Sequence, residues 1–107
     1  MPLEKDVEQV RSLMHTLATQ DVIDNTYGLI MSVRGGLHRI LADLSAETAQ
    51  RAGADVLARL RELAVGIEER PSLFGIPEKW LINDVLSTAK TIRMRLDALS
   101  SGPTAHG

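Results

Sequence analysis

The chain has 107 residues, 44% of them hydrophobic and 24% charged, which is typical of one small globular domain. Its formal net charge of -2 argues against a dedicated nucleic-acid binder, which usually carries a dominant basic face. The absence of cysteine excludes disulfides, thiolate nucleophiles and cysteine-bound zinc. No apolar run is long enough for a signal peptide or a membrane span, so we expect a cytoplasmic protein.

The first predicted helix covers residues 3–19. Its apolar residues recur at alternating steps of four and three and therefore lie on one face: Leu3, Val7, Val10, Met14 and Leu17. A second helix is predicted over 21–44, with the Asp21 carboxylate as its N-cap. Gly35 and Gly36 weaken a helix, so a break at this pair is the alternative to a continuous second helix.

The second helix carries two adjacent apolar stripes, which indicates that it is covered on more than one side. It is therefore either the central helix of the core or the surface through which two copies associate. The residues predicted to form this core or self-association face are Ile30, Val33, Leu37 and Ile40.

A third helix is predicted over 46–69, with Ser45 as its cap and Pro71 beyond its end. The apolar stripe keeps its phase across Gly53, which favours one continuous helix. The alternative is a short helix, a turn at Gly53 and a second helix.

The fourth predicted helix covers residues 77–99, where Pro77 suits the first helical position. The small and polar residues 100–107 predict a flexible tail. Long helices with short connections must fold back on one another to share a core. We therefore predict a single all-α domain over residues 1–99. It is either an antiparallel four-helix bundle or helical hairpins that complete a bundle as a dimer.

No constellation of residues predicts catalysis, a metal site or a cofactor. The chain has no Glu-x-x-His pair for a bundle metal site. It also has no Gly-x-Ser-x-Gly motif for a nucleophilic serine and no glycine-rich phosphate-binding loop. His15 and His38 lie at the edge of apolar stripes, where a half-buried structural role is the common explanation. Histidine phosphotransfer through His38 is the alternative from the enzyme class.

A weak DNA-binding regulator is the second alternative. Residues 44–53 resemble the first helix and turn of a helix-turn-helix DNA reader, but Arg59 and Glu62 occupy positions that would need buried apolar side chains. The basic residues gathered on the fourth helix are Lys90, Arg93 and Arg95, and acidic neighbours can neutralise much of their charge.

Three apolar residues near the longest loop, Leu73, Phe74 and Trp80, are predicted to form a secondary partner-binding site, since aromatic residues dominate binding hot spots. The alternative is that Phe74 and Trp80 close one end of the bundle. The sequence as a whole predicts a non-enzymatic protein-interaction module that forms a homodimer. It would act as a small regulator, adaptor or chaperone through apolar helix faces.

Overall fold

A computed structural model describes residues 2–19, 26–69 and 78–100, and within them the chain is all-helical, as predicted. The five helices of these ranges are α1 (Pro2–Thr19), α2 (Thr26–Asp43), α3 (Ala46–Ala52), α4 (Ala54–Glu69) and α5 (Lys79–Ser100). None of them is both long and apolar enough to cross a membrane. The predicted cap Asp21, the predicted first position Pro77 and residues 101–107 lie outside the described residues.

α2 runs without a break through Gly35 and Gly36. Gly36 is buried against α1, where an added Cβ would lie far inside the van der Waals distance of Val10 Cγ2. A Cβ at Gly35 would meet only the Arg39 guanidinium, at an ordinary 3.7 Å. Gly36 therefore allows a close approach of α1 and α2, and the helix continues through both glycines.

The continuous helix predicted over 46–69 is wrong, because the chain divides into α3 and α4 at Gly53. Gly53 has φ 89° and ψ 166°, a conformation that is essentially restricted to glycine. α3 begins as predicted at Ser45, whose hydroxyl accepts the Thr48 N–H at 3.2 Å while the Ser45 N–H donates to Thr48 Oγ1 at 2.9 Å. This reciprocal capping box fixes the start of α3.

α1 and α2 pack against each other in opposite directions. Arg39 of α2 lies 3.5 Å from Asp6 of α1, whereas Gly36, one turn earlier in α2, faces Val10, one turn later in α1. The two helices therefore form an antiparallel hairpin.

α4 and α5 form a second antiparallel pair. Arg61 Nη1 contacts Asp97 Oδ1 at 2.5 Å near one end, and Arg93 Nε contacts Glu68 Oε2 at 2.6 Å further along. The two helices therefore run in opposite directions.

α2 and α5 run in the same direction where the two hairpins meet. Arg34 of α2 pairs with Asp84 early in α5, and Arg95, late in α5, donates to the Leu41 and Leu44 carbonyl oxygens at 3.5 Å. The Arg95 guanidinium therefore satisfies carbonyl groups at the C-terminal end of α2. Contacts between α1 and α4 join the hairpins on the other side.

The residues predicted to form the core or self-association face of the second helix lie in the core. Ile30, Val33, Leu37 and Ile40 are all 0% exposed within a single chain. They pack in one cluster with buried residues of every other described helix, including Val10 of α1. These four side chains therefore lie in the core of a single chain.

We expect Gly36→Ala to lower the free energy of unfolding by about 1–2 kcal/mol, since the overpacking of Val10 outweighs the gain in helix propensity. The matched Gly35→Ala variant should gain up to about 1 kcal/mol because its Cβ meets no crowded neighbour. Urea unfolding followed by circular dichroism measures both. Equal effects of the two substitutions would contradict the close approach at Gly36.

Gly53→Ala should cost about 1–3 kcal/mol, because alanine is strained in the conformation that Gly53 adopts. If residues 46–69 formed one helix, the same substitution would stabilise the protein. Gly66→Ala in α4 is the control, since nothing lies within 4 Å of its Cβ position and helix propensity predicts a gain of up to about 1 kcal/mol. Thermal or urea unfolding distinguishes the two signs.

Candidate interaction surfaces

An open groove of about 1090 Å³ lies between α3, α4 and the C-terminal part of α5. We call it the alanine groove and define it by its apolar side chains, Ala46, Ala49, Ala54, Leu57, Ala58, Leu96 and Leu99. Gly53, Gln50, Arg59, Arg61 and Glu62 complete its lining. Ala46, Ala54 and Ala58 are exposed, and Leu57 and Leu99 are partly buried. The surface thus combines small hollows with two larger apolar side chains.

The break at Gly53 gives the alanine groove its shape. Because the glycine separates α3 from α4, Ala46 and Ala49 lie on one helical segment while Ala54 and Ala58 lie on the next. Alanine side chains leave the backbone accessible, which permits a close approach of another helix.

Two of the three charged residues that line the alanine groove are paired within the chain. Arg59 Nη1 lies 3.0 Å from Glu8 Oε1 of α1, and Arg61 Nη1 lies 2.5 Å from Asp97 Oδ1 of α5. Both arginines therefore hold helices together, and the groove itself offers apolar contact.

A second surface, the Trp80 cluster, lies between α2 and α5 and consists of Arg34, His38, Trp80, Asp84 and Thr88. Trp80 is 52% exposed, and the Arg34 guanidinium carbon lies 5.8 Å from the centre of its ring. Arg34 Nε donates to Asp84 Oδ2 at 2.7 Å, and His38 Nε2 lies 2.7 Å from the same oxygen. Thr88 is buried, with Oγ1 3.5 Å from His38 Nε2.

The Trp80 cluster stabilises the ionised form of Asp84. The hydrogen bond with His38 is the largest influence and lowers the pKa of the Asp84 carboxyl below its ordinary value. Partial burial raises the pKa, and the Arg34 hydrogen bond and the positive charges nearby lower it further. Asp84 is therefore a carboxylate at neutral pH that joins α2 to α5.

The predicted partner-binding residues are only partly described. Trp80 is exposed, whereas Leu73 and Phe74 lie outside the described residues. Sequence reasoning missed Arg34 and Asp84, which are 50 positions apart and carry no local motif. It also missed the alanine groove, although the small residues spaced along 46–58 were a visible signal.

His38, the residue predicted for the phosphotransfer alternative, has its Nε2 hydrogen-bonded to the Asp84 carboxylate and so takes part in the contact between α2 and α5. His15 lines a smaller, open groove of about 570 Å³ between α1 and α4, beside the ion pair of Arg11 with Glu8. Among the residues described, no three side chains of the kinds that bind metals come together.

Two of the three basic residues predicted for DNA binding have structural partners. Arg93 contacts Glu68, and its own pKa is raised mainly by that hydrogen bond. Arg95 is exposed and donates to carbonyl groups at the end of α2, and Lys90 is the other exposed cation of this group. These contacts give no support to a nucleic-acid interface.

Asp84→Asn should lower the free energy of unfolding by about 0.5–1 kcal/mol at pH 7. Because the pKa of Asp84 is lowered in the folded state, its contribution is present above the unfolded pKa, near 3.9, and is lost as the pH falls through the folded value. Unfolding measured between pH 7 and about pH 2.5 should therefore show wild type and variant converging in acid. Glu62→Gln, at an exposed carboxyl without an ion pair in the described ranges, should show no such convergence.

Comparison with protein-family models, curated proteins and solved structures gave no match to this chain. The alanine groove is suited to burying a helix, and the Trp80 cluster presents an exposed indole beside a fixed cation.

Proposed function

We propose that this protein is a non-enzymatic helical interaction module, a small regulator, adaptor or chaperone, and that two copies associate through the alanine groove. The observation that carries the proposal is an apolar groove open to solvent beside a core that one chain already fills. Apolar surface of this kind is used in proteins for binding other helices.

We also propose that a single chain forms the complete helical bundle. The contacts α1–α2, α2–α5, α5–α4 and α4–α1 support a four-helix bundle built from two antiparallel hairpins side by side. Because Ile30, Val33, Leu37 and Ile40 are buried without a second copy, dimerisation is not needed to complete the core. A homodimer must therefore use another surface.

The alanine groove suits a second copy because it is self-complementary. A two-fold dimer brings the same patch of both subunits together, so a protruding side chain on the patch needs a hollow on the same patch. Leu57 and Leu99 provide the larger side chains, and Ala54 and Ala58 provide the hollows. A stable interface buries about 800 Å² on each partner, so the contact extends from the groove over the neighbouring faces of α3 and α4.

Light scattering coupled to size exclusion should give twice the 11.7 kDa mass of one chain, with dissociation only on dilution. Ala58→Glu should produce a folded monomer, because the carboxylate would be buried without a partner at the dimer contact. Ala42→Glu is the matched control: Ala42 is also an exposed helical alanine, lies outside the groove, and should leave the mass unchanged.

Two results would overturn this proposal. A wild-type mass of one chain at every protein concentration would show that the groove does not bind a second copy. Equal dissociation by Ala58→Glu and Ala42→Glu would show that the dimer uses a different face. Circular dichroism of each variant separates dissociation from unfolding.

A further inference from the structure

Arg34 is held in a fixed position while part of its hydrogen-bonding capacity remains unused. Its Nε is bound to Asp84 at 2.7 Å, and its guanidinium lies over the exposed Trp80 ring at 5.8 Å. The terminal nitrogens Nη1 and Nη2 have no partner among the described residues. By contrast, Arg59, Arg61 and Arg93, which join α4 to its neighbours, each use a terminal nitrogen in an ion pair.

The unused end of the Arg34 guanidinium matches a carboxylate. Its two terminal nitrogens present parallel N–H donors that bind both oxygens of a carboxylate at once. Asp84 and Trp80 restrict the side chain beforehand, so less conformational entropy is lost on binding. The exposed indole offers an apolar surface beside the cation, and Trp and Arg are the residue types enriched in binding hot spots.

We propose that Arg34 and Trp80 form a binding site for an acidic peptide segment of a protein partner. A carboxylate of the segment binds Nη1 and Nη2 of Arg34, and a neighbouring apolar side chain packs on Trp80. The site is separate from the alanine groove, since Trp80 and Leu96 are about 24 Å apart along α5 at 1.5 Å per residue. It therefore gives the protein a second surface that does not depend on self-association.

An acidic peptide fits this site better than a nucleic acid. Nucleic-acid binding draws on several cations that track the phosphate backbone. Here Asp84 lies against Arg34 and would repel a run of phosphates, whereas one carboxylate needs only the two oriented donors. The charge of Asp84 also makes binding weaker than it would be beside an isolated arginine, and this provides a specific test.

Trp80 is the only tryptophan in the chain, so its fluorescence reports directly on the site. The probe is a blocked pentapeptide of alternating glutamate and leucine, and its control has glutamine in place of glutamate. We expect a saturable change in emission with the acidic peptide, at least about tenfold weaker with the glutamine peptide, and weaker in high salt.

Three variants test the assignment. Arg34→Gln should weaken binding by about tenfold or more, because the paired donors are lost. Asp84→Asn should strengthen it several-fold, because the amide keeps an acceptor for Arg34 and removes the competing charge. Arg39→Gln is the matched control, since Arg39 lies on the same helix, is also ion-paired, and contacts Asp6 of α1.

The proposal is wrong if the two peptides give equal responses, if neither changes the emission, or if Arg34→Gln binds like wild type. Weaker binding by Asp84→Asn would also contradict it, because that result would show that the charge of Asp84 does not compete with the bound carboxylate. A stronger response to a short oligothymidine than to the acidic peptide would identify a nucleic-acid site instead. Circular dichroism of every variant excludes unfolding as the cause of a lost response.

Discussion

The close contact of Gly36 with Val10 sets the position of α2, and the arrangement of the other helices depends on α2. On one side the missing side chain of Gly36 lets α1 approach. On the other side Arg34 and His38 share one oxygen of Asp84 and so join α2 to α5. Because α2 is covered from both sides, its side chains Ile30, Val33, Leu37 and Ile40 are fully buried inside a single chain. The hairpins α1–α2 and α4–α5 are held together along this helix.

Apolar surface also remains outside the core of this chain. A chain whose core is filled has no need of a partner for folding, so apolar residues left outside the core need a separate explanation. The alanine groove is such a surface, and it exists because Gly53 divides one apolar stripe between α3 and α4. The same glycine that contradicts a continuous helix therefore creates the surface proposed for self-association.

Helical periodicity predicts the features that depend on local spacing. The first helix, the cap at Ser45 and the burial of Ile30 and its neighbours all follow from residues within a few turns of one another. The break at Gly53 does not, because Ala49 before it and Val56 after it both face the core and keep the stripe in phase. The pairing of Arg34 with Asp84 cannot be found in this way either, since the two side chains belong to different hairpins.

The arginines of this chain differ in how many of their guanidinium nitrogens already have partners within the fold. Arg93 pairs through Nε and Nη2 with Glu68 and through Nη1 with Asp97, so all three of its nitrogens are used within the fold. Arg34 spends only Nε, although it is as firmly placed. A cation that is already held in place, and whose paired donors are still available, loses less conformational entropy when it binds a ligand. The same charge count on mobile side chains would not have this consequence, so the proposed peptide site depends on the geometry of Arg34 and not on the net charge of the chain.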